Sequence, residues 1–220
     1  YARNGVAEIA AARADAANLT RAADAIARAV RDAQARGGKV AVFVTGIPGA
    51  GKTLCGLNAV FGAARQDGSA FLTGNVPLVA VLRAALARDA IARGEADRFL
   101  DDHATDPQRR SAPERLIVFD EAQRAWDGAK ARLGTRNKPS RLTDSEPAHT
   151  LEIMGRHEGW AVIVALIGNG QEINTGEAGL AEWGRVVAAD PRWTARAAPR
   201  VLTADEPAQR LAAGPAPWLT

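Results

Sequence analysis

The chain has 220 residues, of which 47% are apolar and 24% charged, as is normal for a soluble globular domain with a hydrophobic core. Its net charge of +3 permits contact with nucleic acid but does not establish it. The single cysteine excludes an internal disulfide framework. The scattered His103, His149 and His157 exclude a Cys/His metal cluster in the sequence, and we expect them in loops or at the surface.

The sequence shows no evident signal for membrane insertion or secretion. No segment has the length and apolar character of a membrane span, and no signal peptide is visible, so we expect no membrane partner. One cysteine also fits a reducing compartment, and we expect a cytoplasmic location. Because the chain begins with Tyr1 rather than Met, we expect it to be a piece of a longer protein or a processed form.

The N-terminal half of the chain alternates between helical and strand patterns. The predicted elements are helices at 6–17 and 21–36, a strand at 39–45, a helix at 52–65, a strand at 70–73 and a helix at 77–92. Alanine-rich composition favours the first two helices. Thr20 is expected to cap the second helix, which Gly37 and Gly38 would end. Pro77 suits the first position of the last helix.

The C-terminal half continues the alternation. The predicted elements are a charged, loop-like segment at 94–114, a strand at 116–119, a polar basic connection at 127–146, a helix from Pro147 to about 157, a strand at 161–167, a helix at about 178–189 and a last short strand at 201–202. Strands that alternate with helices predict a parallel sheet covered on both faces. Right-handed crossovers then give a three-layer α/β domain.

A phosphate-binding loop stands between the first strand and the helix that follows it. Residues 46–53 match the pattern G-x-x-x-x-G-K-[ST], and this context aims backbone N–H groups and a helix dipole at phosphate. Lys52 is expected to reach the β- and γ-phosphates of a nucleoside triphosphate, and the Thr53 hydroxyl to hold Mg²⁺. The expected nucleotide-binding residues are Gly46, Ile47, Pro48, Gly49, Ala50, Gly51, Lys52, Thr53 and Leu54.

A second site follows the apolar strand at 116–119. Asp120 and Glu121 come directly after it, as in a Walker B motif, and would emerge at the sheet edge where ligands bind. Asp120 is expected to hold Mg²⁺, directly or through a water. Glu121 is expected to orient and polarise the attacking water. Two adjacent carboxylates, one for the metal and one for water, favour hydrolysis.

A third candidate follows the strand at 161–167, where the sequence reads Gly168-Asn169-Gly170-Gln171-Glu172. Gln171 at this strand end would face the γ-phosphate, where its amide could hydrogen-bond phosphate or the attacking water and act in catalysis. The alternative is a glycine-rich turn with polar side chains and no catalytic role.

Three stretches together resemble the Schlafen group 3-like DNA/RNA helicase domain family. They are residues 44–54, 118–126 and 165–177, and Ser145-Glu146-Pro147 and 74–78 are also similar to family motifs. The resemblance implies a P-loop NTPase similar to superfamily 1 helicases, whose motor has two RecA-like domains with ATP between them. Residues 120–123 resemble helicase motif II, and Gly168 to Gln171 resemble motif III. The latter departs from the usual Gly-Asp-x-x-Gln, because Asn169 replaces the acid and the glutamine comes one residue early.

The resemblance also implies a division of the chain. We expect an N-terminal helical segment at 1–37 that packs on the NTPase core, a RecA-like domain at 38–203, and a tail or linker at 204–220 that leads towards a second RecA-like domain. That second domain would supply the catalytic arginine finger, which can be worth about 10³–10⁵ in rate. We therefore expect this chain to bind ATP and Mg²⁺ but to hydrolyse ATP slowly alone.

Two segments are candidates for contact with single-stranded DNA or RNA. The connection after motif II carries a set of basic residues downstream of Trp126: Lys130, Arg132, Arg136, Lys138 and Arg141. They would follow phosphates while the indole stacks on a base, or they form a solvated loop with Trp126 in the core. Gly74-Asn75 is either a contact to the strand backbone or a simple turn.

Three functions are open from the sequence. The favoured one is a nucleic-acid-dependent ATPase motor, the first RecA-like half of a helicase or translocase. The alternatives are an ATP-dependent switch or sensor without unwinding activity, and a scaffold whose nucleotide is structural. Trp160 and Trp183 are expected in the core under each of them.

Overall fold

The structure is a computed structural model that describes residues 2–47, 49–62, 68–74, 96–133, 142–168, 175–214 and 216–219. The helix predicted at 77–92 lies outside these residues. Among the described residues, no helix is both long enough and apolar enough to cross a membrane.

The described elements alternate as the sequence predicts. The helices are α1 (Ala2–Arg36), α2 (Lys52–Phe61), α3 (Ala96–Ala104), α4 (Gly128–Leu133), α5 (Glu146–Gly155) and α6 (Gly179–Ala189). The strands are β1 (Lys39–Gly46), β2 (Ser69–Leu72), β3 (Leu116–Phe119), β4 (Ala161–Gly168) and β5 (Trp193–Ala197). Short 3₁₀ turns cover Ala122–Arg124, Pro199–Leu202 and Pro207–Gln209.

The strands form one parallel sheet in the order β2-β3-β4-β1-β5. All eight residues of β4 are buried, as expected for a central strand with both faces covered. The register pairs Gly46 at the end of β1 with Gly168 at the end of β4, so the segments that follow these strands leave the same edge. The predicted three-layer α/β fold class is confirmed, and the strand order is consistent with a RecA-like P-loop domain.

Alternate residues of the strands β1 to β4 belong to two separate cores. Ile163, Ala165 and Ile167 of β4 face one core, to which α3, α5 and α6 contribute. Val162, Val164 and Leu166 face the other, which is closed by α1 and α2. Because side chains alternate along a strand, one apolar run supplies both cores, and the sheet is held between two helical layers.

The N-terminal segment differs from the prediction. One continuous helix, α1, replaces the predicted pair at 6–17 and 21–36, and Thr20 lies inside it rather than at an N-cap. The alanine-rich sequence has no glycine or proline between residues 6 and 36 to interrupt the backbone hydrogen bonds, so the threonine alone does not end the helix. Ile26 and Val30 of α1 are buried against β1 and β4.

Three other predictions of local structure are wrong. Residues 96–104 form α3 rather than a loop, because Phe99 and Leu100 are buried and fix it to the core. The last strand is β5 at 193–197, and residues 201–202 instead lie in a 3₁₀ turn that begins at Pro199. Proline lacks the N–H that would extend the strand pairing. Part of the predicted basic connection is the short helix α4.

Two of the histidines are buried rather than in surface loops. His103 lies in α3 beside the ring of Phe99, and the ring Nε2 of His157 is 2.9 Å from the Glu114 carbonyl oxygen. Burial lowers the pKa of His157. His149 is half-buried in α5, where its Nε2 accepts backbone N–H groups of residues 143 and 144.

The segment after residue 203 packs on α6 and β5. The carbonyl oxygen of Leu211 lies against Gly184, where a Cβ atom would stand 1.6 Å from it, and the Ala195 N–H donates to the Trp218 carbonyl at 2.6 Å. Position 184 therefore requires glycine, because the backbone of Leu211 approaches too closely for any side chain. The division at 1–37, 38–203 and 204–220 stays a prediction.

We predict that Gly56→Ala loosens the contact of α2 with the sheet. A Cβ at residue 56 would lie 2.7 Å from Val118, 2.9 Å from Leu166 and 3.0 Å from Phe71. Overpacking costs about 1–3 kcal/mol, and the higher helix propensity of alanine offsets about 1 kcal/mol of it. We expect the free energy of unfolding in urea to fall by up to about 2 kcal/mol.

The matched control is Gly38→Ala, since a Cβ there meets no atom within 4 Å. A Gly56→Ala chain about 1 kcal/mol more stable than the parent, the gain expected from helix propensity alone, would show that the packing of α2 is loose.

Candidate nucleotide-binding site

The loop between β1 and α2 has the backbone of a phosphate-binding loop. Gly49 and Gly51 both have φ of 79°, a left-handed conformation that favours glycine. Lys52 then begins α2, and the Cys55 N–H donates to the Gly51 carbonyl at 3.0 Å. The positive end of the helix dipole therefore lies at the loop, where an anion is stabilised. Pro48 lies outside the described residues.

The Lys52 ammonium group is held over its own loop. Its Nζ donates to the carbonyl oxygens of Gly46 at 2.9 Å and Ile47 at 3.0 Å. Two backbone oxygens thus hold the cation against the loop. Ile47 and Leu54, also predicted to bind nucleotide, expose 67% and 51% of their surface.

A buried carboxylate lies directly beside the loop. Asp120 is 5% exposed, and its Oδ1 and Oδ2 are 3.5 Å from the Thr53 hydroxyl and 3.4 Å from the Thr73 hydroxyl. Its backbone N–H donates to the Leu72 carbonyl at 2.8 Å, which continues the pairing of β2 with β3. The sheet therefore brings together the two residues that the sequence assigned to the metal, Thr53 and Asp120.

The surroundings of Asp120 disfavour its charge. Burial and then the neighbouring charge of Glu121 raise the pKa of Asp120 to about 6, although the hydroxyls of Thr53 and Thr73 act in the opposite direction. An ionised carboxylate at this depth is destabilising without a cation beside it.

The donor atoms at this place fit magnesium. Mg²⁺ prefers oxygen ligands, and proteins usually hold it with one or two carboxylates while waters and substrate phosphates complete the shell. Thr53 and Asp120 supply such a set. No group of three or more His, Cys, Asp or Glu side chains that could hold a metal occurs within the described residues. Waters and substrate phosphates would complete the shell of a cation here.

Glu121 has a constrained position. Its φ of 53° is left-handed, which is uncommon for a residue other than glycine and occurs at functional sites. Its Oε2 accepts the Gln123 amide at 2.6 Å and lies 3.6 Å from Nε of Arg124. The carboxylate is thus fixed beside Asp120 at the carboxyl end of β3.

Gln123 joins two of the predicted motifs. While its Nε2 donates to Glu121, its Oε1 accepts the Gly168 N–H at the end of β4, at 3.0 Å. The side chain is 2% exposed. Sequence reasoning placed Gln123 in motif II but gave it no contact, because its partner lies 45 residues further along the chain. Gly168 is described, whereas Gln171 and the other residues at 169–174 lie outside the described part.

The opposite side of the loop is lined by residues that no motif indicates. Arg200, in the turn after β5, donates from Nη2 to the Thr45 carbonyl at 2.6 Å and from Nε to the Thr45 hydroxyl at 3.3 Å. Leu19 of α1 lies against Gly51, where a Cβ would stand 3.1 Å from Cδ1 of Leu19, and its carbonyl oxygen accepts the Cys55 thiol at 3.4 Å. Helix α1 and the end of β5 therefore both reach the phosphate-binding loop.

Only part of the predicted nucleic-acid surface is described. The Lys130 Nζ lies 5.6 Å from the centre of the half-buried Trp126 ring, and Arg132 is exposed on the same helix. Residues 136, 138 and 141 and Asn75 lie outside the described residues. Trp183 is fully buried, as predicted, whereas Trp160 is half-buried at the margin of a core.

The comparison with protein families agrees with this geometry. The family described as Schlafen group 3, DNA/RNA helicase domain, matches residues 39–205. This chain belongs to that family. The match extends from the first residue of β1 to beyond β5, so the whole sheet of this Schlafen group 3 helicase domain lies within it. A search of curated proteins found no match.

We predict that Asp120→Asn stabilises this helicase domain without nucleotide at neutral and alkaline pH. The raised pKa means that the folded chain binds this proton more tightly than the unfolded chain, so its stabilising effect is full below about pH 4 and is lost as the pH rises towards about 6. The amide carries no charge and avoids that loss. Thermal unfolding should show a gain of about 2–3 kcal/mol at about pH 8 that vanishes near pH 4.

Asp24→Asn, at an exposed position of α1, is the control for a general charge effect. Equal pH profiles for the Asp120→Asn variant and the parent would contradict the raised pKa.

We predict that Gln123→Leu destabilises the domain. The leucine fills similar space but leaves the buried Gly168 N–H without its acceptor, which costs about 1–3 kcal/mol. Urea unfolding should show this loss, whereas Gln108→Leu, at an exposed position, should change little. A stable Gln123→Leu chain would mean that the link to β4 carries no free energy.

Proposed function

We propose that this domain binds and hydrolyses ATP with Mg²⁺, as one RecA-like half of a helicase or translocase motor. The observation that carries the proposal is the meeting of the Thr53 hydroxyl with the buried Asp120 carboxylate beside a left-handed glycine loop. A chance glycine turn gives no reason for a carboxylate 67 residues away to lie buried next to the first turn of the following helix.

Each residue then has a distinct task in phosphoryl transfer, which depends mostly on positioning and charge neutralisation. The N–H groups of the loop and the first turn of α2 would bind phosphate oxygens. Lys52 would exchange its two carbonyl partners for the β- and γ-phosphates. Thr53 and Asp120 would hold Mg²⁺, which supplies charge neutralisation for the phosphates when bound. Glu121, fixed by Gln123, would accept hydrogen bonds from the attacking water.

Hydrogen bonds within the domain support a connection between the proposed nucleotide site and a proposed nucleic-acid surface. The Asp127 N–H donates to the Gly176 carbonyl at 2.9 Å, and the Trp126 N–H donates to a carboxylate oxygen of the buried Glu146 at 2.9 Å. These bonds connect the segment after Glu121 to the segment after β4 and to α5. We infer that single-stranded DNA or RNA binds across Trp126 and α4, where an indole and basic side chains are adjacent.

The test is the ATPase rate of the chain with and without single-stranded DNA or RNA. We expect stimulation by nucleic acid at about 50 mM salt that fades at about 200 mM, because phosphate contacts are salt-dependent. Stimulation absent at both salt concentrations, together with nucleotide-dependent oligomerisation, would favour the switch or sensor instead.

We predict that two substitutions separate binding from hydrolysis. Lys52→Ala should abolish nucleotide binding, whereas Glu121→Gln should retain it and lower kcat about 10²-fold or more. Lys39→Ala is the matched control, because Lys39 lies at the other end of β1 and contacts the Gly159 carbonyl. Equal kcat in the parent and the Glu121→Gln chain would contradict the assigned role of Glu121, and nucleotide binding by Lys52→Ala would contradict the site.

A further inference from the structure

A cleft of about 800 Å³ opens directly beside the phosphate-binding loop. Its walls are the middle of α1, the carboxyl end of β1 and the segment from β5 into the following turn. The apolar part of the lining includes Leu19, Ala22 and Val44. The volume is within the range of pockets for small molecules of nucleotide size. Lys52 lines the cleft as well, so cleft and loop are continuous.

The charged side chains that line this cleft are all cationic among the described residues. Besides Lys52 they are Arg21, Arg28, Arg196 and Arg200. Arg196 is paired with Asp32, at 2.7 Å, which fixes β5 to α1. No hydrogen bond or ion pair joins Arg28 to another residue in the described part of the chain, so its guanidinium is available to a ligand.

The uncharged side-chain acceptors of the described lining are few, and each already takes part in a hydrogen bond. The Asn18 carbonyl oxygen accepts a hydrogen bond from Arg21, and the Thr45 hydroxyl accepts one from Arg200. Guanidinium groups only donate. Within the described lining, the side chains therefore present mainly hydrogen-bond donors and stacking planes to a ligand.

The sheet order gives the direction in which a nucleotide would lie. Strand β1 stands between β4 and β5, and Asp120 follows β3, on the β4 side. Glu121, to which we assign the attacking water, also follows β3, so the terminal phosphate would lie towards β3 and β4. The nucleoside must then extend to the other side of the loop, which is the side of β5, α1 and the cleft.

We propose that this arginine-lined cleft holds the base and ribose of the nucleoside triphosphate, and that Arg28 and Arg200 contact the bound nucleotide. The proposal rests on the proposed function, since it requires the triphosphate to occupy the loop. Arg200 lies next to the loop and Arg28 further along α1, so the two span the cleft from the phosphate end outwards.

The arginine side chains of the cleft also influence which base binds. Guanine presents two adjacent acceptors, O6 and N7, to a bidentate arginine, whereas adenine presents its N7 acceptor beside a 6-amino donor and cannot pair in that way. A guanidinium plane also stacks on any base. The cleft therefore binds GTP at least as tightly as ATP, and the domain is a nucleoside triphosphatase of broad base range.

The experiment compares ATP, GTP and inorganic tripolyphosphate by calorimetric titration with Mg²⁺, in the parent chain and in Arg28→Ala, Arg200→Ala and Arg31→Ala. Arg31 is an exposed arginine of the same helix outside the cleft and is the matched control. We expect Arg28→Ala to weaken GTP about tenfold and to leave tripolyphosphate unchanged. Arg200→Ala should weaken both triphosphates, Arg28→Lys should restore GTP only in part, and Arg31→Ala should match the parent.

The outcomes separate the two proposals. Failure of the parent chain to bind any of the three ligands would overturn the proposed function. A different result would overturn only the role of the cleft. ATP and GTP would then bind no more tightly than tripolyphosphate, and Lys52→Ala would abolish binding while Arg28→Ala and Arg200→Ala left it unchanged. The assignment of the loop to the phosphates would still stand. ATP tighter than GTP by about tenfold would overturn the choice of base.

Discussion

The candidate site depends on one buried carboxylate. Asp120 is almost inaccessible to water, yet it stands at the end of β3 with a threonine hydroxyl on either side. A protein that needed only stability would have an apolar residue there, because burial makes the charge costly. The continuous apolar strands on each side keep water away, so the same packing that stabilises the sheet also fixes the position of the Asp120 carboxylate.

The division of the sheet into two cores explains how the parts of the site are held. One core fixes α2 and α1, which carry or support the phosphate-binding loop, and the other fixes α5 and α6. Trp183 of α6 donates its indole N–H to the Ala122 carbonyl, next to Glu121, at 2.8 Å. Asp120 and Glu121 thus lie between Thr53 of α2, on the side of one core, and Ala122, which belongs to the other. A shift of either helical layer would change the distance of these carboxylates from the loop.

Much of this could be predicted from the sequence. Residues 116–119 and 161–167 are continuous apolar runs, which makes them recognisable as buried parallel strands. The glycine loop is recognisable because its glycines, lysine and threonine each have a defined role in binding phosphate. Strand β5 was not recognisable, because Trp193 and Ala195 alternate with Thr194 and Arg196 over only five residues. The sequence does not predict helix α3, because charged residues surround Phe99 and Leu100, the two apolar residues that pack it against the core.

The contacts of the site were harder to predict than its motifs. Gln123 with Gly168, and Arg200 with Thr45, join residues far apart in sequence, and neither pair has a local pattern. Such contacts follow from strand order, and strand order is decided by how all the crossovers pack together. The sequence shows which residues follow each strand. Which of those residues become neighbours depends on how the strands are arranged in the folded sheet.

The position of α1 has a consequence for where this domain begins. The family match starts at residue 39, so it omits a helix whose Leu19 lies against Gly51 and whose Ile26 and Val30 fill one core. A polypeptide trimmed to the family boundary would expose that apolar face to solvent and leave the loop without its neighbour. The packed structure around this sheet therefore extends past the matched residues at both ends, by α1 and by the segment that carries Leu211 and Trp218.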